Sequence, residues 1–132
     1  MSLAQIRKEL EQRLEALAYR WSWLISWENA PFNTEAYDGT FIEAFIIPAA
    51  TLNASLNGIR VRHLGIFHLN IWTRDGIGAG EAETILQRIC DVFVVIPKTG
   101  NVSIEKPPYA GKSYFNNGWR ITPVTINYRS EQ

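Results

Sequence analysis

The sequence predicts an α+β fold, a two-layer sandwich with two helices on one face of a mixed or antiparallel sheet of about five strands. Two segments repeat apolar residues at helical spacing, and five others are predicted as strands from alternating apolar residues or flanking turn residues. The predicted order is helix, three strands, helix, two strands. No internal repeat or linker divides the 132 residues, so we expect a single domain, residues 1–132.

Both predicted helices are amphipathic. The first, Ser2 to Leu17, has apolar residues on one face and charged residues on the other, and Ser2 with Gln5 fits a capping box. The second covers about Gly78 to Phe93. We expect its apolar stripe to form the centre of the core and Leu86→Ala to cost roughly 2–5 kcal/mol. This stripe consists of Ala82, Ile85, Leu86, Ile89, Cys90 and Phe93.

Three strands are predicted between the helices. Trp21 to Trp27 alternates bulky apolar residues with serine and leucine, which is typical of a strand. Thr40 to Ile47 is the second strand and ends at a proline. Ile59 to Thr73 is the third and longest, and it follows a turn signal at Asn57-Gly58. We expect the second and third strands to pair as a long hairpin.

The last part of the chain predicts two strands separated by a loop. Asn101 to Glu105 is a short strand and Trp119 to Arg129 a long one. Pro123 within the long strand indicates a bulge or an edge position. The residues between, Lys106 to Gly118, are rich in proline, glycine, asparagine and aromatic residues, and we predict a loop there.

Composition narrows the possible functions. The formal net charge is +0, which argues against a protein that tracks DNA phosphates. The single cysteine, Cys90, excludes an internal disulfide and fits a reducing cytoplasm. The charged N-terminal residues contain no apolar signal core, and the uncharged stretch Ala44 to Ile59 is broken by Pro48 and Gly58, so we expect no transmembrane helix.

The glycine-rich turn at Gly76, Gly78 and Gly80 lies where nucleotide-binding proteins hold phosphate. Its spacing fits neither the dinucleotide nor the P-loop pattern. Glu81 and Glu83 follow directly and would repel a phosphate at the helix N-terminus. We therefore predict a turn that redirects the chain and no nucleotide site.

Other motifs for catalysis or metal binding are weak. His63 and His68 lie five residues apart on one strand, so they point to opposite faces and are poorly placed to share a metal. Gly111-Lys112-Ser113 resembles the end of a P-loop but lacks the earlier glycine. We predict no enzymatic activity and no catalytic, cofactor-binding or metal-binding residue.

The predicted loop mixes lysines and an arginine with aromatic residues, a composition that suits single-stranded nucleic acid or a protein contact. The neutral chain favours the protein contact, and a third alternative is that the aromatic residues only cover one end of the core. The candidate subunit or partner interface comprises Tyr109, Lys112, Tyr114, Phe115, Arg60 and Arg62.

Nearly the whole chain resembles a known family. The resemblance rests on five segments: the opening MSLAQIRKELEQRLEAL, WENAPF at Trp27 to Phe32, Gly65 with the alternating strand after it, the Gly-x-Gly entry into the helix that ends at Phe93, and the final GWRITPVTINYR. Together these segments resemble the tail terminator proteins of long-tailed bacteriophages.

The resemblance implies a structural virion protein of the tail or neck, assembled in the host cytoplasm. Such proteins form a ring, commonly a hexamer, on the head-proximal end of the tail tube, where they stop tube polymerisation. Implied partners are further copies, tail tube protein and head–tail connector proteins, while phage DNA passes through the lumen without specific binding. Two alternatives remain: another neck or connector ring protein, or a small-molecule-binding domain or enzyme with a cleft near Thr73 to Gly80.

Overall fold

The computed structural model describes residues 3–28, 39–49, 52–53, 61–94 and 102–131. Within them, two helices and an eight-stranded mixed sheet form the predicted α+β sandwich. The helices are α1 (Leu3–Trp21) and α2 (Gly80–Val92). The strands are β1 (Leu24–Trp27), β2 (Phe41–Pro48), β3 (Leu52–Asn53), β4 (Val61–Arg74), β5 (Val102–Ile104), β6 (Tyr109–Ala110), β7 (Tyr114–Asn116) and β8 (Trp119–Glu131).

The eight strands occupy five positions across the sheet, in the order β1, β2, β4, β8, β5. β3 pairs with β4 on the same side as β2, and β6 and β7 pair with β8 on the same side as β5. The strand count therefore exceeds the predicted five because two of the positions are broken into short strands. β1 runs parallel to β2 and the other pairs are antiparallel, including the predicted hairpin of β2 with β4.

β4 and β8 form the longest ladder, with one continuous register from Arg62 opposite Glu131 to Arg74 opposite Trp119. Of the two alternatives predicted for Pro123, the bulge is wrong, because the register does not shift there, and the edge position is confirmed. Pro123 faces the break between β6 and β7, where its carbonyl accepts a hydrogen bond from the Gly111 N–H at 2.8 Å. The missing proline N–H is tolerated because this side of β8 is locally an edge.

The main core lies between the helices and one face of the sheet. β4 contributes Phe67, Leu69 and Ile71, which are fully buried. Ile89 and Phe93 are equally buried, whereas Leu86 is only partly buried against this core. The second helix therefore does contribute to the core, but its centre is at Ile89 and not at Leu86.

The first predicted strand begins later than expected. α1 continues to Trp21, and β1 starts only at Leu24. Leu17 and Ala18 remain buried against the core, which extends the helix past its predicted end. The capping residue Ser2, the Asn57-Gly58 turn and most of WENAPF lie outside the described residues.

The other face of the sheet carries no helix from the described part of the chain. At one end, Phe41 stacks on Trp72 with ring centroids 5.1 Å apart, and Trp119 meets both rings edge-on. In the middle, Asn70 Nδ2 donates to Glu43 Oε1 at 2.8 Å, and Asn70 Oδ1 lies 3.0 Å from His68 Nε2. His68 therefore belongs to this face, opposite to His63, as predicted from strand alternation.

Candidate subunit interface

The segment predicted as a loop is an edge of the sheet. β5, β6 and β7 follow one another antiparallel to β8, opposite residues 128–130, 124–125 and 119–121. A backbone bond from the Glu105 N–H to the Asn127 carbonyl, 2.9 Å long, continues the pairing past β5. We call residues 106–116 the aromatic edge; its prediction as a loop is wrong for β6 and β7, whose backbone is paired to β8.

A two-residue hairpin turn joins β7 to β8. Asn117 and Gly118 both have positive φ, at 48° and 84°, and the flanking Asn116 and Trp119 are paired. Tight hairpins favour Asn-Gly because both residues tolerate this conformation. The Asn-Gly pair between two apolar segments is the sequence signal that would have predicted β7.

Side-chain contacts fix the aromatic edge and the strand before it to the rest of the domain. The Cys90 thiol on α2 donates to the Pro108 carbonyl at 3.4 Å, and the Ser113 and Thr122 hydroxyls are 2.8 Å apart. Arg13 Nη2 on α1 donates to the Val102 carbonyl at 2.8 Å. Burial raises the pKa of the Cys90 thiol and lowers that of Arg13. The hydrogen bonds at Pro108 and Ser113 thus tie the edge to α2 and β8.

The aromatic side chains of this edge are open to solvent. Tyr109 is 47% exposed, Tyr114 49% and Phe115 62%, and Lys112 is also exposed. Rings that served only as a lid on the core would be more deeply buried, so their exposure favours a contact surface. The Lys106 ammonium lies 5.2 Å from the Tyr109 ring centroid, a cation–π distance.

The aromatic residues point to both sides of the sheet. Tyr109 and Tyr114 are opposite Thr125 and Ile121, on the helix-free face. Phe115 is opposite Arg120, whose partner on β4 is the buried Thr73, so Phe115 lies on the face that carries the helices.

The two candidate arginines are separate from this cluster. Arg60 lies outside the described residues. Arg62 is in β4 opposite Glu131 and Leu52, whereas Phe115 is opposite Arg120. The eleven residue steps from position 120 to position 131 correspond to about 36 Å of extended strand, at about 3.3 Å per step. The structure therefore brings Tyr109, Lys112, Tyr114 and Phe115 together and places Arg62 at the far end of the sheet.

A cleft of about 490 Å³ opens on the opposite edge of the domain. We call it the α2 cleft, since one wall is the start of that helix. Trp21 forms part of its lining, with the Arg88 guanidinium 3.4 Å from the ring centroid and that of Arg20 at 5.3 Å. The lining residues are Trp21, Ser22, Trp23, Thr40, Phe41, Ile42, Glu81, Thr84, Ile85 and Arg88. The cleft adjoins the predicted position at residues 73–80 but contains none of those residues.

A polar contact fixes the same edge of the sheet at the other end of β1 from this cleft. Glu28, directly after β1, accepts hydrogen bonds at Oε1 from Arg7 Nη1 at 2.8 Å and from the Ile46 N–H at 3.1 Å. The hydrogen bond from Arg7 and that from Ile46 hold the pKa of Glu28 below its usual value, and the same bond to Glu28 raises the pKa of Arg7. The contact ties α1 to β2 at the end of β1.

The glycine-rich turn has a conformational explanation. Gly76 and Gly78 have φ of 92° and 84°, a region that other residues rarely adopt. Glu81 and Glu83 are exposed in the first turn of α2, as expected for residues that complement the helix dipole. The turn directs the chain from β4 into α2.

Two further features are absent from the described part of the chain. In residues 3–28, 39–49, 52–53, 61–94 and 102–131, three or more histidine, cysteine or acidic side chains nowhere converge on a possible metal position. Neither of the helices described is long and apolar enough to cross a membrane.

Comparison with known proteins identifies a matching family and a similar fold. A family model described as phage tail terminator protein matches residues 5–128. A solved structure whose name states no function is similar, with a TM-score of 0.76 and 25% sequence identity over 98% of this chain and 96% of that chain. The curated proteins contain no match to this sequence.

Proposed function

The chain belongs to the phage tail terminator protein family. We propose that it forms a hexameric ring on the head-proximal end of a tail tube. The family is structural, so the protein is a structural component of a phage tail. The proposed ring stops tube polymerisation and then offers its outer surface to the proteins of the head. The observation that carries this proposal is the family match over residues 5–128, nearly the whole domain.

The aromatic edge supports a role in assembly. Aromatic residues, Tyr in particular, are enriched among the residues that anchor protein contacts. Those of Tyr109, Tyr114 and Phe115 lie on short strands bonded to β8, so little conformational freedom is lost when a partner binds. The proposed partners are further copies of the chain, tail tube protein and head–tail connector proteins. Assembly takes place in the host cytoplasm, and phage DNA passes through the ring without specific binding.

Substitution of two exposed tyrosines tests whether the edge makes a contact needed for assembly. Replacing the whole edge would unpair β8, so point substitutions are the sharper design. We expect Tyr109→Ser with Tyr114→Ser to leave thermal stability nearly unchanged, because both rings are about half exposed. The same variant, supplied to phage that lack the wild-type protein, should yield few joined particles by electron microscopy.

Tyr19→Ser is the matched control, since Tyr19 is an exposed aromatic residue on α1. This control should restore normal particles. A folded double variant that restores particles as well as the control does would contradict a role for the two tyrosines in assembly.

A further inference from the structure

We propose that the α2 cleft receives the Phe115 side chain of a second copy of this chain. Neighbouring subunits would then join through the aromatic edge of one and the α2 cleft of the next. This inference rests on the proposed ring and specifies the contact between its subunits. Four observations support it: the positions of the two surfaces in the sheet, the face on which each lies, their charges, and the symmetry that their placement allows.

Both surfaces lie at the same end of the sheet, on opposite edges. One cross-strand row connects Leu24 in β1, Phe41 in β2, Trp72 in β4, Ile121 in β8 and Tyr114 in β7. Phe41 lines the cleft, and Tyr114 is next to Phe115. The row therefore runs from one proposed contact surface to the other.

The two surfaces also share a face. The cleft is formed on the helix side of the sheet, by α2 and the end of α1 against the start of β2. Phe115 is on the helix side as well and is 62% exposed. A flat aromatic ring suits this cleft because Ile85 gives it an aliphatic wall and the Arg88 guanidinium, stacked on Trp21, is a cation that a second ring can stack on.

Charge around the two surfaces is complementary. Lys106 and Lys112 are exposed on the aromatic edge, whereas Glu81 lines the cleft and Glu83 is exposed on the same helical turn. Arg88 also lines the cleft and Arg20 lies 5.3 Å from the Trp21 ring, so the cleft carries positive charge as well, and Glu81 and Glu83 are the groups that the lysines would meet. Pairs of Lys106 and Lys112 with these carboxylates favour this contact over that of two aromatic edges, which would bring the lysines together.

The placement favours a closed ring. Because the two surfaces differ, their contact is heterologous, and such contacts give rings when the rotation closes and filaments when it does not. Because both surfaces lie at one end of the sheet, a subunit shifts little along the strand direction relative to its neighbour when the two surfaces meet. A rotation without displacement along its own axis closes into a ring when its angle is a whole fraction of a full turn.

Mixing two complementary variants of the full chain tests this contact. Phe115→Ala removes the inserted side chain and keeps the cleft, while Thr84→Trp fills the cleft and keeps Phe115. Thr84 is exposed on α2, so both changes should leave the circular dichroism spectrum unchanged, and Thr84→Arg replaces Thr84→Trp should that variant unfold. Oligomeric state is measured by sedimentation velocity from micromolar to millimolar concentration.

We expect the wild type to form a closed oligomer and each variant alone to remain monomeric. A 1:1 mixture should give a dimer and nothing larger, because each pair retains one intact contact. Gln87→Trp, on an exposed part of α2 outside the cleft, and Tyr19→Ala are controls that should assemble like the wild type.

Three results would overturn the inference: a wild type that is monomeric at millimolar concentration, variants that assemble alone, or a mixture that stays monomeric. Rings that persist in both variants would refute this contact and leave the proposed terminator role standing. The terminator role is judged separately, from the tails of phage that lack the protein.

Discussion

Glu28 is a single residue that joins three elements of the fold. Its carboxylate binds Arg7 of α1 and the backbone of β2, and it directly follows β1. Since its pKa is lowered on folding, the unfolded chain binds more protons as pH falls below the ordinary value near 4.5. The stabilisation is therefore present above pH 4.5 and is lost as pH falls through the folded pKa.

Substitution of either partner should remove this pH dependence. We expect Glu28→Gln and Arg7→Gln each to be less stable than the wild type at neutral pH and to lose less stability between pH 4.5 and pH 3. Urea denaturation at several pH values measures the difference. Stability curves that run parallel for wild type and both variants would show that the contact does not contribute.

Gly65 shows what a single sequence leaves hidden at the residue scale. It pairs with Tyr128 across β4 and β8, and the buried tyrosine ring occupies the space that a Cβ on Gly65 would fill. A glycine inside a strand weakens it unless another group uses the vacant space. The two residues are more than sixty positions apart, so only the register of the ladder explains why this strand tolerates glycine.

At the scale of elements, α2 illustrates how far periodicity predicts a core. Its apolar stripe was correctly placed, but periodicity did not distinguish the fully buried Ile89 from the partly buried Leu86. We expect Ile89→Ala to lower the free energy of unfolding by roughly 2–5 kcal/mol and Leu86→Ala by less. Gln87→Ala, on the exposed face, should stay within about 0.5 kcal/mol.

Chemical denaturation followed by circular dichroism measures these differences. Equal losses in the free energy of unfolding for Ile89→Ala and Gln87→Ala would contradict the structure, because they would mean that α2 packs a different face against the sheet.

The predicted helices and long strands were largely correct because local patterns determine them. The aromatic edge was missed because its strands are two or three residues long and carry no periodic signal. They exist through pairing with β8, a tertiary contact, although the Asn117-Gly118 turn pointed to the hairpin. The same limit applies to the site, since the exposed aromatic residues were identified from composition but the α2 cleft is assembled from three distant segments.

At the scale of the whole molecule, the sheet has different surfaces on its two edges. The aromatic edge and the α2 cleft lie at the same end of that sheet, and contacts between two different surfaces of identical subunits form a ring when the rotation closes. The fold thus suits a structural part of a phage tail, in keeping with its family.

The most direct test of the central claim is the length of tails made by phage that lack this protein, measured by electron microscopy. The proposed function predicts tails that exceed the normal length and do not join heads, with normal particles restored when the wild-type protein is supplied. Tails of normal length that join heads in its absence would contradict a role in ending tail growth.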